Sequence, residues 1–316
     1  MHASLYPWLA PPWQRLMNYR REQRMPQAIL ITGRQGLGKR HLAETFAALL
    51  LCQEPGQHAC GHCAGCCLLA AGTHPDYVVA QPEEPGKAIP VDMVRGLIGK
   101  LNLKPQYNGH RVVVLDPAHA MNASAANALL KTLEEPPERT LLLLISAMPS
   151  AMPATLISRC QRLPVAPPAR ETALAWLHTQ APAPSAETAL AAAAGAPLKA
   201  LELMQSGLLE KREQLFKLWP AFAGKRAEPV QAAAQLTQVP LEMLIDWLYG
   251  WAIQELKLSQ ATATPNTGRI LPPDRIHEFA EILQRSKRQL ANNAQLNRQL
   301  LLEEICIAWW RLARAK

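Results

Sequence analysis

The chain has 316 residues, with 33 basic and 25 acidic side chains and 49% apolar residues. That apolar fraction builds cores and excludes a disordered chain. No apolar run approaches the roughly 18 residues that a membrane span needs, so no membrane segment is expected. Met1–Trp13 lacks a charged stretch followed by an apolar one. A disulfide-built secreted fold is therefore not expected; the seven cysteines of a cytoplasmic chain are metal ligands or packing residues.

The length predicts two domains or three small ones. Net charge is +5 over residues 1–165, −2 over 166–210 and +5 over 211–316, giving the total of +8. Such a balance agrees with work near nucleic acid and equally with ordinary solubility.

Ala28–Thr32 is a short apolar run that reads as a strand, and a helical pattern follows over Lys39–Leu51. Between them lies Gly33-Arg34-Gln35-Gly36-Leu37-Gly38-Lys39, the spacing GxxxxGK. Gly33, Gly36 and Gly38 let backbone N–H groups turn toward phosphate oxygens, and Lys39 reaches the outer phosphates. The next residue in an active loop is Ser or Thr, whose hydroxyl binds magnesium; here it is Arg40. Arginine has no lone pair for a cation and competes with one by charge. ATP or ADP is thus expected to be held weakly or not at all.

Cys52, Cys60, Cys63 and Cys66 follow with the spacing C-x7-C-x2-C-x2-C. Two overlapping x2 spacings gather three thiolates, and Cys52 closes a tetrahedron from the helix end. That set suits a structural zinc site at residues 52–66. Cys67 is the alternative to Cys66, and packing or redox roles remain the plain alternative for the cluster.

Val112–Leu115 is the second apolar strand and runs into Asp116, an acidic position at a strand end; Pro117 stands where a catalytic glutamate would follow. Ser124–Glu134 carries Ala and Leu at helical spacing and stops at Pro136-Pro137, and Leu141–Ile145 is the third strand. Apolar strands separated by helices predict a parallel sheet covered on both faces, an α/β P-loop core.

Pro164, Pro167 and Pro168 mark a boundary near residue 166. Helical pattern then continues through an Ala-rich stretch, with a break at Pro182–Pro184. Loops are expected at 225–228 and 259–268. Helices are expected at Leu241–Leu258, Asp274–Leu290 (capped by Asp274) and Gln295–Ala313. The last places Leu296, Leu300, Leu301, Ile305, Ala308, Trp309 and Leu312 on one side. Arg285, Lys287 and Arg288 read as a solvated helix face.

The order of elements resembles the bacterial clamp-loader AAA+ family. The residues that carry this are the P-loop, the four-cysteine knuckle, Thr73-His74-Pro75-Asp76, the stretch Asn127–Pro137 (NALLKTLEEPP) and Ser158-Arg159-Cys160. Residues 297–303 look like the family's last-helix motif. The resemblance implies three parts: an AAA+ P-loop-like domain at 1–165 with the zinc-knuckle insertion, a small helical lid at 166–208 and an all-α collar at 209–316. It also implies that Arg159 enters the neighbouring subunit's nucleotide site as an arginine finger; its plain alternative is a surface salt bridge. Lys131, Glu134 and Glu135 would face a neighbour. Ser146 and Lys199 lie near the family's two sensor positions. The implied function is a non-hydrolysing subunit of the DNA polymerase III clamp loader, which helps to place the sliding clamp on primed DNA during replication. Its partners would be the gamma/tau and delta subunits, the clamp and primed DNA; a nucleotidyltransferase is implied only as the whole holoenzyme. The competing reading is a catalytically active, gamma-like ATPase subunit, against which Arg40 and Pro117 argue.

Overall fold

The computed structural model describes all residues except 1–4, 55, 85, 102–104, 108, 182–183, 220–227, 262–270, 293–295 and 315–316. Most of the expected break at 182–184, most of the loops at 225–228 and 259–268, and Gln295 lie outside the described residues. The chain divides into two compact units. One comprises 1–176 with 195–199; the other comprises 177–194 with 200–316.

In the first unit, five strands form one parallel sheet: β1 (Ala28–Thr32), β2 (Tyr77–Ala80), β3 (Arg111–Leu115), β4 (Thr140–Ser146) and β5 (Gln161–Pro164). Their order is β2-β3-β4-β1-β5. Leu30 sits level with Leu144 of β4 and Arg162 of β5, and Val113 is level with Leu142. Every residue of β3 and β4 is buried. Alternate side chains point to opposite faces. One face carries Leu30, Val113, Leu115, Leu142 and Leu144, packed with Val94, Leu97, Leu129 and Leu133 of the helices Val91–Leu101 and Ala123–Glu134. The helix Lys39–Leu51 lies against β3 and β4. Burial on both faces explains why the runs Val112–Leu115 and Leu141–Ile145 are apolar throughout.

The helix Ala123–Glu134 begins where the Asn122 carboxamide oxygen accepts from the Ala125 N–H at 2.8 Å. Pro136 and Pro137 prevent its continuation. A buried ion pair ties β3 to the Thr73–Asp76 motif: Arg111 Nη2 lies 2.8 Å from Asp76 Oδ1.

Among the described residues of the second unit every regular element is a helix. Its core gathers Trp219, Phe279 and Trp309, with ring centroids 5.0 to 6.0 Å apart. The helices Leu241–Ala261, Pro273–Asn292 and Arg298–Arg314 supply most of the rest. Ser259 belongs to the helix Leu241–Ala261, so the start of the expected loop is helical. The helix after Pro272 starts at Pro273, placing Asp274 in the first turn rather than at the cap. The last helix is capped by Asn297, whose side-chain oxygen accepts from the Gln299 and Leu300 N–H groups at 3.0 and 3.2 Å. Leu301, Ile305, Trp309 and Leu312 are buried as expected, but Leu300 is 60% exposed and leaves the stripe. Lys287 is paired with Asp246 on the surface. Among the described residues, no helix is long and apolar enough to cross a membrane.

Candidate functional site

Thr32, Leu115 and Ser146 end three neighbouring parallel strands at the same edge of the sheet. This carboxyl edge is where open parallel sheets bind ligands. The glycine loop leaves β1 here. Gly33, Gly36 and Gly38 all have positive φ (146°, 81° and 79°), a backbone that L side chains rarely adopt.

Atoms of the same chain pack closely against the loop glycines. A Cβ on Gly33 would meet the Val165 carbonyl oxygen at 2.3 Å. One on Gly36 would meet Lys199 Cβ at 2.6 Å, and one on Gly38 would meet the Tyr6 ring at 2.8 Å. The Leu198 N–H donates to the Gly36 carbonyl at 3.1 Å. Tyr6 stacks on Trp8 at 5.1 Å, and Trp8 Nε1 donates to the Leu37 carbonyl at 2.9 Å. Lys39 turns back on the loop: its Nζ donates to the Arg34 carbonyl at 2.7 Å. Burial lowers the Lys39 amine to about 8, against a raising effect of Asp116.

Arg40 stands where a hydroxyl ligand for magnesium would be. Its Nε donates to Glu44 at 2.8 Å and its Nη1 to Gln81 at 3.1 Å. The same Nη1 lies 3.8 Å from Asp116 Oδ2. A guanidinium thus faces the carboxylate that would help to hold magnesium. Burial raises the Asp116 carboxyl, while Arg40 and Lys39 hold it down. Pro117 follows through a cis peptide bond and supplies no acid. These residues do not fit a magnesium–triphosphate set for hydrolysis, which needs a placed metal and a water-orienting group. Ser146 is fully buried, 3.2 Å from His119 Nδ1, and its Oγ accepts from the Met148 N–H at 3.1 Å. Burial, aided by Lys39, pushes the His119 imidazole below its ordinary range.

The cysteine knuckle forms a second centre. Cys52 ends the helix Lys39–Leu51, and Cys63 caps the helix Ala64–Ala70, its sulfur accepting from the Cys66 N–H at 3.4 Å. The four sulfurs of Cys52, Cys60, Cys63 and Cys66 lie within 4.8 Å of one another. The Cys52–Cys63 and Cys60–Cys66 separations are both 3.9 Å. Four bonds of about 2.3 Å at tetrahedral angles require an edge of about 3.8 Å. The cluster therefore fits a tetrahedral metal ion with no open position. Cys67 is exposed and its thiol points to the His62 carbonyl at 3.5 Å, so Cys66 is the fourth member.

Arg159 occupies neither centre. It follows the short helix Ala154–Ile157 and stands two residues before β5, so it lies at the amino edge of the sheet. Its Nη1 donates to the Thr155 carbonyl at 2.7 Å, and its Nη2 pairs with the Glu134 carboxylate. An open groove of about 320 Å³ runs beside it, lined by Pro26, Gln27, Leu133 and Cys160. Gln27 and Gly33 bracket β1, and six strand steps at 3.3 Å separate them by roughly 20 Å. Arg159 and the glycine loop are therefore at opposite ends of the same sheet. The packing of Tyr6, Trp8, Val165 and Lys199 on the loop, and the Glu134 pairing, join residues far apart in sequence; no local spacing signals them.

Residues 10–169 match the family model described as DNA polymerase III, delta subunit, and residues 206–310 match its C-terminal model. The chain is 38% identical to DNA polymerase III subunit delta-prime of Pseudomonas aeruginosa, over 97% of this chain and 98% of that protein. It is 34% identical to the subunit of the same name in Escherichia coli K12, over 96% and 94%. A DNA polymerase III subunit tau of Bacillus subtilis is 34% identical over 46% of this chain and 26% of its own length. On near-complete coverage by the two delta-prime relatives, the chain belongs to the family of DNA polymerase III delta-prime subunits.

Proposed function

We propose that this chain is a cytoplasmic, non-hydrolysing scaffold subunit of the DNA polymerase III clamp loader. In this reading it assembles with gamma/tau and delta subunits, presents Arg159 to the neighbour's nucleotide, and helps to load the sliding clamp onto primed DNA. Residues 166–208 act as the lid and 209–316 as the collar that holds the assembly.

One observation carries the reading: the two ends of the sheet have different fates. At the carboxyl edge, Arg40 faces Asp116 and own-chain atoms cover the glycines. At the amino edge, the Arg159 side chain keeps 34% of its surface exposed, roughly 20 Å from its own loop. A permanently charged fork that does not reach its own nucleotide site is suited to stabilising transferring phosphate on an adjacent subunit. The cysteine tetrahedron supports zinc as a structural ion, held by Cys52, Cys60, Cys63 and Cys66. Zinc would hold the knuckle and supply no reaction step. Any nucleotide at the loop would rely on Lys39 and the glycine N–H groups without a metal ligand at residue 40.

The test is Arg159→Ala in the reconstituted loader. ATP turnover by the complex is expected to fall about 10³-fold at the affected site, with this subunit still incorporated. Unchanged turnover at that site removes the finger role.

A further inference from the structure

We propose that Glu134 is a positioning residue for Arg159, fixing the guanidinium before a neighbouring subunit's phosphate arrives. The inference rests on the finger reading above and deepens it.

The Arg159 side chain is long, and a free arginine loses considerable rotamer entropy when it binds. Two acceptors restrain it. The Thr155 carbonyl takes Nη1, and the Glu134 carboxylate takes Nη2. Both are themselves placed: Thr155 sits on the helix Ala154–Ile157, and Glu134 is the last residue of the helix Ala123–Glu134. These two helices pack on each other. Each η nitrogen keeps one further N–H, and Nε keeps its own, so donors remain for a phosphate.

The pair has little use as a stabilising contact. Glu134 and Arg159 are 49% and 34% exposed, where ion pairs contribute little to folding. A contact that adds little to stability yet holds the one guanidinium assigned to a reaction is placed for orientation. Pre-ordering a flexible side chain lowers the cost of engaging it.

The experiment measures steady-state ATP turnover of the reconstituted loader carrying this chain as wild type, Glu134→Ala, Glu134→Gln, Arg159→Ala or the Glu134→Ala/Arg159→Ala double variant. Glu134→Ala is expected to lower kcat about three- to tenfold with KM unchanged, the size expected for releasing one side chain. Glu134→Gln keeps an oxygen acceptor and recovers most of that loss. In the double variant, Glu134→Ala adds nothing to Arg159→Ala. Thermal melting of each variant subunit checks that it is folded.

If Arg159→Ala leaves turnover unchanged, the finger reading itself fails. If Arg159→Ala lowers turnover but Glu134→Ala does not, or raises it, the positioning role is overturned and the finger stands. The positioning role also falls if Glu134→Ala multiplies the Arg159→Ala defect.

Discussion

The Arg40 guanidinium sits 3.8 Å from the Asp116 carboxylate, at the edge of the sheet where a P-loop protein would hold its magnesium. One residue removes the hydroxyl ligand and also supplies a competing cation. Arg40→Thr restores the hydroxyl and frees Asp116. Fluorescent ATP analogues are then expected to bind the variant at least about tenfold more tightly with magnesium than without, the effect of one recovered charged contact. The wild-type chain is expected to show no such gain. Hydrolysis stays absent in the variant, because Pro117 still replaces the acid. A magnesium-dependent gain in the wild-type chain contradicts the role given to Arg40.

The cysteine tetrahedron predicts one tightly held ion per chain. Metal analysis of the purified protein should find one zinc, and Cys63→Ser or Cys66→Ser should lose it together with several kcal/mol of stability. Cys67→Ser is expected to keep the metal and to stay within about 0.5 kcal/mol of wild type, since Cys67 is exposed and outside the cluster. Metal loss in Cys67→Ser and retention in Cys66→Ser would exchange their roles.

Lys39 makes stability depend on pH. Its amine falls from 10.5 to about 8 on folding because it is buried. Between those values the unfolded chain keeps a proton that the folded chain has released. Stability therefore rises with pH from about 8 to about 10.5 through this group. Lys39→Met is expected to raise the urea midpoint at neutral pH and to flatten the slope across that alkaline window. An unchanged slope in the variant contradicts the burial argument.

Asp76 and Arg111 form a buried ion pair, with side chains 1% and 5% exposed. Asp76 also accepts the Gln106 N–H at 2.8 Å. Asp76→Ala removes the carboxylate facing a buried guanidinium, leaves its charge uncompensated, and is expected to cost about 3–5 kcal/mol in chemical denaturation. A loss below about 1 kcal/mol, the level of an exposed pair, shows that water reaches Arg111.

The central strands are legible in the sequence because each is a short apolar run bounded by breakers. β1 spans Ala28–Thr32 as the apolar run predicts, β3 adds one residue to its run, and β4 adds one at each end. β2, Tyr77–Ala80, carries the same signal between Pro75 and Pro82 but is only four residues long, and β5 gives none. β5 is an edge strand with Gln161, Arg162 and Pro164 exposed and only Leu163 buried. An edge position tolerates charge and proline that a central strand excludes. The helix Val91–Leu101 is hidden for a different reason. Its buried face, Val94, Leu97 and Leu101, keeps helical spacing, but Gly96 and Gly99 on its exposed side lower the helix propensity of the stretch. In the site, the cysteine spacing is readable because neighbouring ligands lie close in sequence. The packing against the loop glycines is not, since Tyr6, Val165 and Lys199 converge only through the tertiary fold.

The most direct measurement is steady-state ATP hydrolysis by the purified chain alone, at saturating magnesium–ATP, beside Lys39→Ala as the control. A loop with Arg40 in place of the hydroxyl ligand and no catalytic acid predicts no turnover above the control. Phosphate release that Lys39→Ala abolishes would mean that the chain burns ATP at its own loop, and the account of an inert site serving its neighbour would be wrong.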